Sequence, residues 1–252
     1  MRRALGVCFA LTLFSTIALA QTDEIQVYNG DLAPPGKFNL TWHQNYTPIG
    51  LKTPAFPGAV ISNHAYIGVP EWAYGVTKWF ELGLYLPLYS FTTNHGSSLN
   101  GYKIRTLFAV PNADQRRFFY GSNFEFSWNA KQWDEKRHTN EIRPIVGWHL
   151  GDTDIIINPI LDNSYIGFKN LEFVPAWRVA HKFSPNSALA LEQYSDFGTL
   201  QHVNSFHNQF HQVYFVADHT VKGLDIEFGV GVGVTAASDK LTLKLILSRD
   251  LN

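Results

Sequence analysis

The chain has 252 residues, a formal charge of −1 and one cysteine. A nearly neutral balance supplies no basic field for nucleic acid, and a lone cysteine excludes a disulfide or Cys-based zinc framework. Charged residues make up 16% and aromatic residues 15% of the chain, whereas soluble proteins carry about 25% charged residues. The mean hydropathy is −0.11, and beyond the N-terminus no long apolar run exists, which excludes a helical membrane protein. Many aromatics, few charges and middling hydropathy suit a transmembrane β-barrel, whose strands show alternate residues to lipid and to an interior.

The N-terminus reads as a processing signal. Arg2 and Arg3 precede an apolar run from Ala4 to Phe14, and Ala18-Leu19-Ala20 closes it before Gln21. This is the layout of a secretory signal peptide with an Ala-x-Ala cleavage site. The alternative, an anchor helix, needs about 20 apolar residues, and this run is shorter. The expected organisation is a signal peptide over 1–20 and an outer-membrane barrel over 21–252. Cys8 lies within the signal.

Alternation and breaks predict twelve strands, over 37–47, 63–76, 79–91, 100–111, 117–129, 139–150, 153–161, 171–183, 187–198, 210–221, 224–234 and 240–250. In "WFELGLYLPLYSF" every second residue, Phe80, Leu82, Leu84, Leu86 and Leu88, is apolar. Tyr102, Ile104, Thr106, Phe108 and Val110 form a second apolar face. Tyr120, Phe124, Phe126 and Trp128 form a third. Leu224, Ile226, Phe228, Val230, Val232 and Val234 form the longest, and Leu241, Leu243, Leu245 and Leu247 the last. The second strand alternates least clearly. Pro70, Pro87, Pro144, Pro159 and Pro175 fall inside strands, where each removes a ladder hydrogen bond, so bulges are expected there. Connections alternate between long ("PIGLKTPAFPGAVIS", "TTNHGSSL", "AKQWDEKRH") and short (Thr77-Lys78, "NADQR", Gly151-Asp152). That is the bias of extracellular loops and periplasmic turns. Trp79, Trp148 and Trp177 are placed at the periplasmic interface, and Trp42, Tyr46, Tyr89, Trp128 and Tyr194 at the outer one. The closing "LILSRDLN" lacks the terminal aromatic usual in barrel-assembly signals.

The stretches "EIQVYNGDLAPPGKFNLTWHQNYTPIG" and "PEWAYGVTKWFELGLYLPLYSF" resemble an outer-membrane family catalogued under the MetA pathway of phenol degradation and described as transporters. The matching positions are Glu24 to Tyr28, Tyr74, Gly75, Thr77, Glu81, Leu82, Gly83, Leu84, Leu86 and Pro87. The resemblance covers residues 24–91 and implies a barrel that passes small hydrophobic or aromatic molecules. It supplies no catalytic residues. Gly75 with Thr77-Lys78 reads as a tight periplasmic reversal.

The opposite faces of the strands list an interior: Glu81, Lys103, Arg105, Glu125, Glu141, Arg143, Asp154, Glu172, Arg178, Lys182, Glu192, Asp196, Asp218, Asp225, Glu227 and Lys244. Glu81 and Arg105, Glu125 and its neighbours Arg105 and Arg143, and Arg178 and Glu192 are expected to meet across adjacent strands. These groups either line a charge-selecting path or satisfy one another and plug a small barrel. Gly229, Gly231 and Gly233 leave a strip without side chains, for a solute or for an inward loop. His202, His207, His211 and His219 suggest a metal, but loop spacing alone guarantees no geometry. "HGSS", His95 to Ser98, is the nearest local match to a Ser–His lipase, without that family's strand motif. No phosphate loop, paired-glycine nucleotide motif or Cys-x-x-Cys occurs, so neither enzyme activity nor a cofactor is expected. The expected function is passive passage or binding of small solutes within outer-membrane lipid. Entry runs through the lumen or laterally beside a proline-bearing strand. The alternative is a closed barrel with a structural or adhesive role.

Overall fold

In the computed structural model, residues 23–163 and 165–251 are described and form a closed antiparallel barrel of twelve strands. The signal segment lies outside the described residues. The first half comprises β1 (Phe38–Ile49), β2 (Ala65–Thr77), β3 (Phe80–Thr92), β4 (Gly96–Ala109), β5 (Phe118–Asn129) and β6 (His138–Leu150). The second comprises β7 (Thr153–Asn158), β8 (Ala176–Ser184), β9 (Ser187–Asp196), β10 (Phe210–Val221), β11 (Leu224–Gly233) and β12 (Leu241–Asp250). Each strand pairs with its sequence neighbour, and β12 pairs with β1 from Asn39↔Asp250 to Ile49↔Leu241. Closure leaves no open edge, which a sheet in hydrocarbon requires. Short strands Leu161–Asn163 and Glu172–Phe173 extend β7 and β8 along the wall.

Period-2 alternation decides which way each side chain points. On β12, Leu241, Leu243, Leu245 and Leu247 face out while Thr242, Lys244 and Ile246 are buried inside. β2 alternates as cleanly: Trp72, Tyr74 and Val76 are exposed, and Ile67, Val69, Glu71 and Ala73 are buried. Aromatic rings gather at both ends of the wall. Phe80 and Phe108 stack at 4.8 Å beside Trp79, and Phe118 meets Trp148, all by the short turns. At the other end Tyr66, Tyr89 and Phe91 cluster, and Tyr102 stacks on Trp128 at 4.9 Å. Amphipathic rings at headgroup depth hold such a barrel in register with the bilayer. Two ring placements differ from expectation. Tyr194 shares the inward parity of Glu192 and donates to it at 2.7 Å. Trp177 stands opposite Gln193, toward the outer end of β9, instead of at the periplasmic interface.

The prolines coincide with irregularities. The β2–β3 register jumps between Gly68↔Tyr89 and Glu71↔Tyr85, around Pro70 and Pro87. The β3 alternation therefore slips: Leu86 and Pro87 are both exposed, and Leu88, expected outside, turns in and is buried. A bulge strands carbonyls in lipid, and the Trp72 indole N–H reaches the Leu86 carbonyl at 3.4 Å. Pro144 lies where β7 stops pairing with β6, Pro159 in the β7 interruption, and Pro175 in the β8 interruption.

The connections depart from strict long–short alternation twice. Gly96 begins β4, so the expected loop "TTNHGSSL" shrinks to residues 93–95. The connection over 110–117 instead lengthens around a single turn, Ala113–Gln115, and Val110, expected on the outer face, packs into the interior cluster. The segment over 50–64 dips inward, burying Val60 with Ile67, Val69, Tyr85, Leu88 and Trp133.

A charge placed on the apolar face measures its contact with lipid. Phe228, exposed near the middle of β11 between Ala217 and Leu245, is the position to test. Phe228→Lys is expected to cost about 2–4 kcal/mol, read as a lower urea midpoint for liposome-embedded protein. An unchanged midpoint would remove this face from the hydrocarbon.

Candidate functional site

The interior is occupied by the chain's own N-terminal segment. Residues 23–36 run inside the barrel and reach the wall at one parallel bridge, Pro35↔Gly75. Gly36 N donates to the Gly75 carbonyl at 2.7 Å, and Gly75 N to the Lys37 carbonyl at 3.0 Å. A Cβ on Gly75 would stand 2.2 Å from the Ala33 carbonyl oxygen. Gly75 is therefore required for close approach of this strap, not for the turn that follows it.

Side chains of the wall hold the strap by its backbone. Arg143 Nη1 donates to the Gln26 carbonyl at 3.0 Å, and Lys244 Nζ to the Ile25 carbonyl at 3.1 Å. Asn158 brackets Tyr28, accepting from its N–H at 2.7 Å and donating to its carbonyl at 3.0 Å. Glu81 accepts from Ala33 N, and the hydroxyls of Tyr28 and Tyr85 meet. Asp23 pairs with Lys103 at 2.8 Å. The Arg143 guanidinium also lies 4.5 Å from the Tyr28 ring centre, a cation–π arrangement.

Two ion networks fill the mid-barrel. In the first, Arg105 bonds Glu71 and Glu81, the latter at 2.6 Å, and His43 meets Glu71 at 3.2 Å. In the second, Lys244 Nζ lies 2.5 Å from both Glu192 and Glu227, and Arg178 joins Glu192, Asp218 and Glu227. His43, Tyr85, Glu192, Tyr214 and Lys244 are essentially inaccessible to solvent, so side chains pack closely around both networks. The glycine strip of β11 is filled as well: Lys244 lies over Gly229 and the Tyr214 ring over Gly231.

Most of the interior residues expected from alternation are buried there. Glu81 meets Arg105 and Arg178 meets Glu192, as expected. Glu125 instead receives Lys103 at 3.4 Å and Asn123 at 2.8 Å, while Arg143 turns to Glu141 at 2.6 Å. Lys182 is half-exposed at the rim and pairs with Asp154, and Asp225 is exposed at a turn, accepting from Thr220. Five groups escaped the sequence reading. Glu71 and His43 were hidden by the weak patterning of β2 and β1, Asp162 by the break in β7, and Asp23 and Glu24 by lying outside any strand.

Above the networks lies a chamber of about 420 Å³. A row of acids runs along its wall from the strand of Arg105: Glu125↔Glu141↔Asp162↔Glu172 are successive cross-strand partners, and Glu125 stands opposite Arg105. Lys103 and Arg143 neutralise the first two carboxylates. Asp162 and Glu172 receive no hydrogen bond or ion pair among the described residues. The loops beside the chamber are tied by polar contacts, as where Asp239 accepts from Leu51 N at 2.8 Å and Ser62 Oγ at 2.5 Å. Burial raises the Asp239 carboxyl above its ordinary range.

The histidines do not converge. His211 is buried with Nδ1 on Ser195 Oγ (2.9 Å) and Nε2 on the side-chain Oε1 of Gln209 (2.8 Å), between Phe197 and Phe206. His202 and His207 are exposed, and His219 pairs with Ser187 at the far end of β10. His95 contacts the Gly58 carbonyl at 3.0 Å, while Ser98 bonds Asn100 and Ser90.

No family model matches the sequence, and no curated protein matches it. In structure the chain is similar to the COG4313 outer membrane channel from Pseudomonas putida F1, with a TM-score of 0.58 and 12% identity over 90% of this chain and 100% of that one. It is also similar to the KdgM porin in complex with disordered oligogalacturonate (TM-score 0.54, 8% identity, 85% and 99% covered). The architecture is that of an outer-membrane β-barrel. Closure, the apolar belt and the aromatic girdles carry that assignment independently, and they place the chain in the outer membrane of a Gram-negative envelope.

The second network sets a stability test. Lys244→Met leaves Glu192 and Glu227 buried without their shared ammonium and is expected to cost about 3–5 kcal/mol. Lys182→Met removes a half-exposed rim pair and should cost about 1 kcal/mol or less. Urea unfolding of both variants in liposomes checks the contrast, and equal midpoints would deny the network its role.

Proposed function

We propose that the protein is an outer-membrane channel for small solutes, closed in this state by the 23–36 strap. The single observation that carries this reading is how the strap is attached. It adds no strand to the wall, and its one backbone bridge is at Gly75; otherwise side chains hold it. Withdrawal would leave every wall ladder intact and would unblock the interior beside Tyr85, Lys103 and Arg143. The contacts that would break include charge-assisted hydrogen bonds from Arg143 and Lys244 and to Glu81, of about 1.5–3 kcal/mol each, and neutral ones at Asn158, Tyr85 and Gly75 of about 0.5–1.5 kcal/mol each, so the closed state is strongly favoured until something competes for them.

The solute path on this reading begins in the outer chamber. Charged groups line one side, and Phe56, Trp133, Ile160 and Phe210 supply apolar surface. A molecule with a short aromatic or aliphatic body and a polar end fits this mixture, in keeping with the resemblance of residues 24–91 to transporters of the phenol-degradation pathway. The proline-bearing breaks in β7 and β8 are occupied from inside by Ile160 and Val174, which pack in the strap's own cluster. They favour entry through the chamber over a lateral route. The competing reading is a permanently closed barrel acting through its loops.

Gly75→Leu separates the two. The added side chain collides with the Ala33 and Pro34 carbonyls while leaving every other wall residue unchanged. Planar-bilayer recordings are expected to show higher single-channel conductance or open probability than the parent. A folded variant as silent as the parent would favour the closed structural barrel.

A further inference from the structure

In the two mid-barrel networks every carboxylate has a cationic partner, but in the chamber above them some have none. Nine carboxylates and three cations line it. Four of these acids, Glu125, Glu141, Asp162 and Glu172, stand on adjacent strands at one level. Strand spacing of about 4.8 Å places the ends of the row about 14 Å apart.

A row of acids alone would be only a solvated face. The second observation is Glu24, on the strap and not on the wall. It is 4% exposed and lines the same chamber. Both its carboxylate oxygens lack a hydrogen-bond donor among the described residues, and Arg143 Nη1 stands off at 3.6 Å. Asp23 Oδ2, next to it, is likewise without a donor. Buried carboxylate oxygens without donors carry a desolvation cost that a bound cation would remove.

We propose that this chamber binds an aliphatic diamine or polyamine, held by the row Glu125–Glu141–Asp162–Glu172 together with Glu24. The inference deepens the channel reading by naming a solute class, and rests on it. Three features choose this ligand. The acids form a line and not a cage, and no group of three metal-ligating side chains converges among the described residues. Ammonium groups spaced along a methylene chain match acids spaced along a row. Between the acids, Ile160, Trp133 and Phe210 offer apolar and aromatic surface for the chain and its ammonium ends.

Binding of a cation to Glu24 also acts on closure. Glu24 belongs to the strap, and its nearest cation is Arg143, which holds the Gln26 carbonyl. A polyamine that takes over Glu24 and Glu141 competes with one of the clasps of the strap.

The test uses the full chain, purified in detergent and reconstituted. Spermidine is titrated by calorimetry with succinate as the anionic control, and reversal potentials are read across a KCl gradient. Spermidine is expected to bind and succinate not to bind, with potassium preferred over chloride. The double variant Asp162→Asn/Glu172→Gln is expected to weaken spermidine binding about tenfold or more and move the reversal potential toward zero. Should that variant fail a heat-shift test for folded barrels, Glu24→Gln, which lies outside the wall, takes its place under the same readout. No spermidine binding, equal binding in the variant, or a chloride preference would overturn the proposal. Spermidine binding without conductance upholds the site and overturns the channel reading. Conductance without cation preference or spermidine binding does the reverse.

Discussion

A fully buried ammonium stands at the centre of this barrel. Lys244 Nζ is shared by Glu192, Glu227 and the Ile25 carbonyl, and the interior is arranged around keeping it and its neighbours paired. A lone charge in that position would be intolerable, because moving an ion out of water costs several kcal/mol. The pairing draws in β8, β9, β11 and β12 through Arg178 and the two glutamates. It draws in the strap through one carbonyl. Gly229 on β11 leaves the room that the Lys244 stem occupies. The same logic recurs on the other side, where Arg105 links β2, β3 and β4.

The strap follows from barrel size. Twelve strands enclose more width than wall side chains can fill unaided, while too many interior charges lie there for an apolar filler. A peptide segment meets both needs: Ile25, Val27 and Tyr28 supply bulk, and its backbone carbonyls accept from Lys244 and Arg143. This explains why cations of the wall reach for carbonyls of the strap as well as for carboxylates. It also explains the bare backbone at Gly75, the one place where strap and wall touch main chain to main chain.

The wall was legible in the sequence because period-2 alternation is a direct imprint of lipid on one side and polar contacts on the other. β11 and β12 show it residue by residue. All twelve strands overlap the segments that alternation predicts, with Pro70 and Pro87 at a register jump and Pro159 and Pro175 in the interruptions of β7 and β8. Legibility failed where chemistry is nonlocal. Nothing local in "DEIQVYNG" distinguishes a strap from a leader into the first strand. Leu88 turned inward because β3 carries one extra residue between Tyr85 and Tyr89, opposite Glu71 and Gly68, and a one-residue slip inverts parity beyond it. Pairing across the ladder was read correctly for Glu81 with Arg105, but not for Glu125. There Arg105 turns to Glu71 and Glu81, and Arg143 to Glu141 and the strap carbonyl of Gln26, leaving Lys103 to pair with Glu125.

The distribution of unmatched charge separates scaffold from site. In the mid-barrel each buried acid has a cation or a backbone N–H: Glu71 and Glu81 share Arg105, and Glu192 and Glu227 share Lys244 and Arg178. Groups so matched gain nothing from a solute and lose much when disturbed, which is the signature of a structural element. In the chamber the match fails progressively along the row. Glu125 and Glu141 have cations, while Asp162 and Glu172, farther from the strap, have none. A fold that pairs its charges so thoroughly at one level and leaves them open at the next has somewhere for a partner of opposite sign to go. The boundary between the two levels is the strap itself, with Asp23 and Glu24 on the chamber side and Ala33 and Pro35 by the periplasmic end of β2.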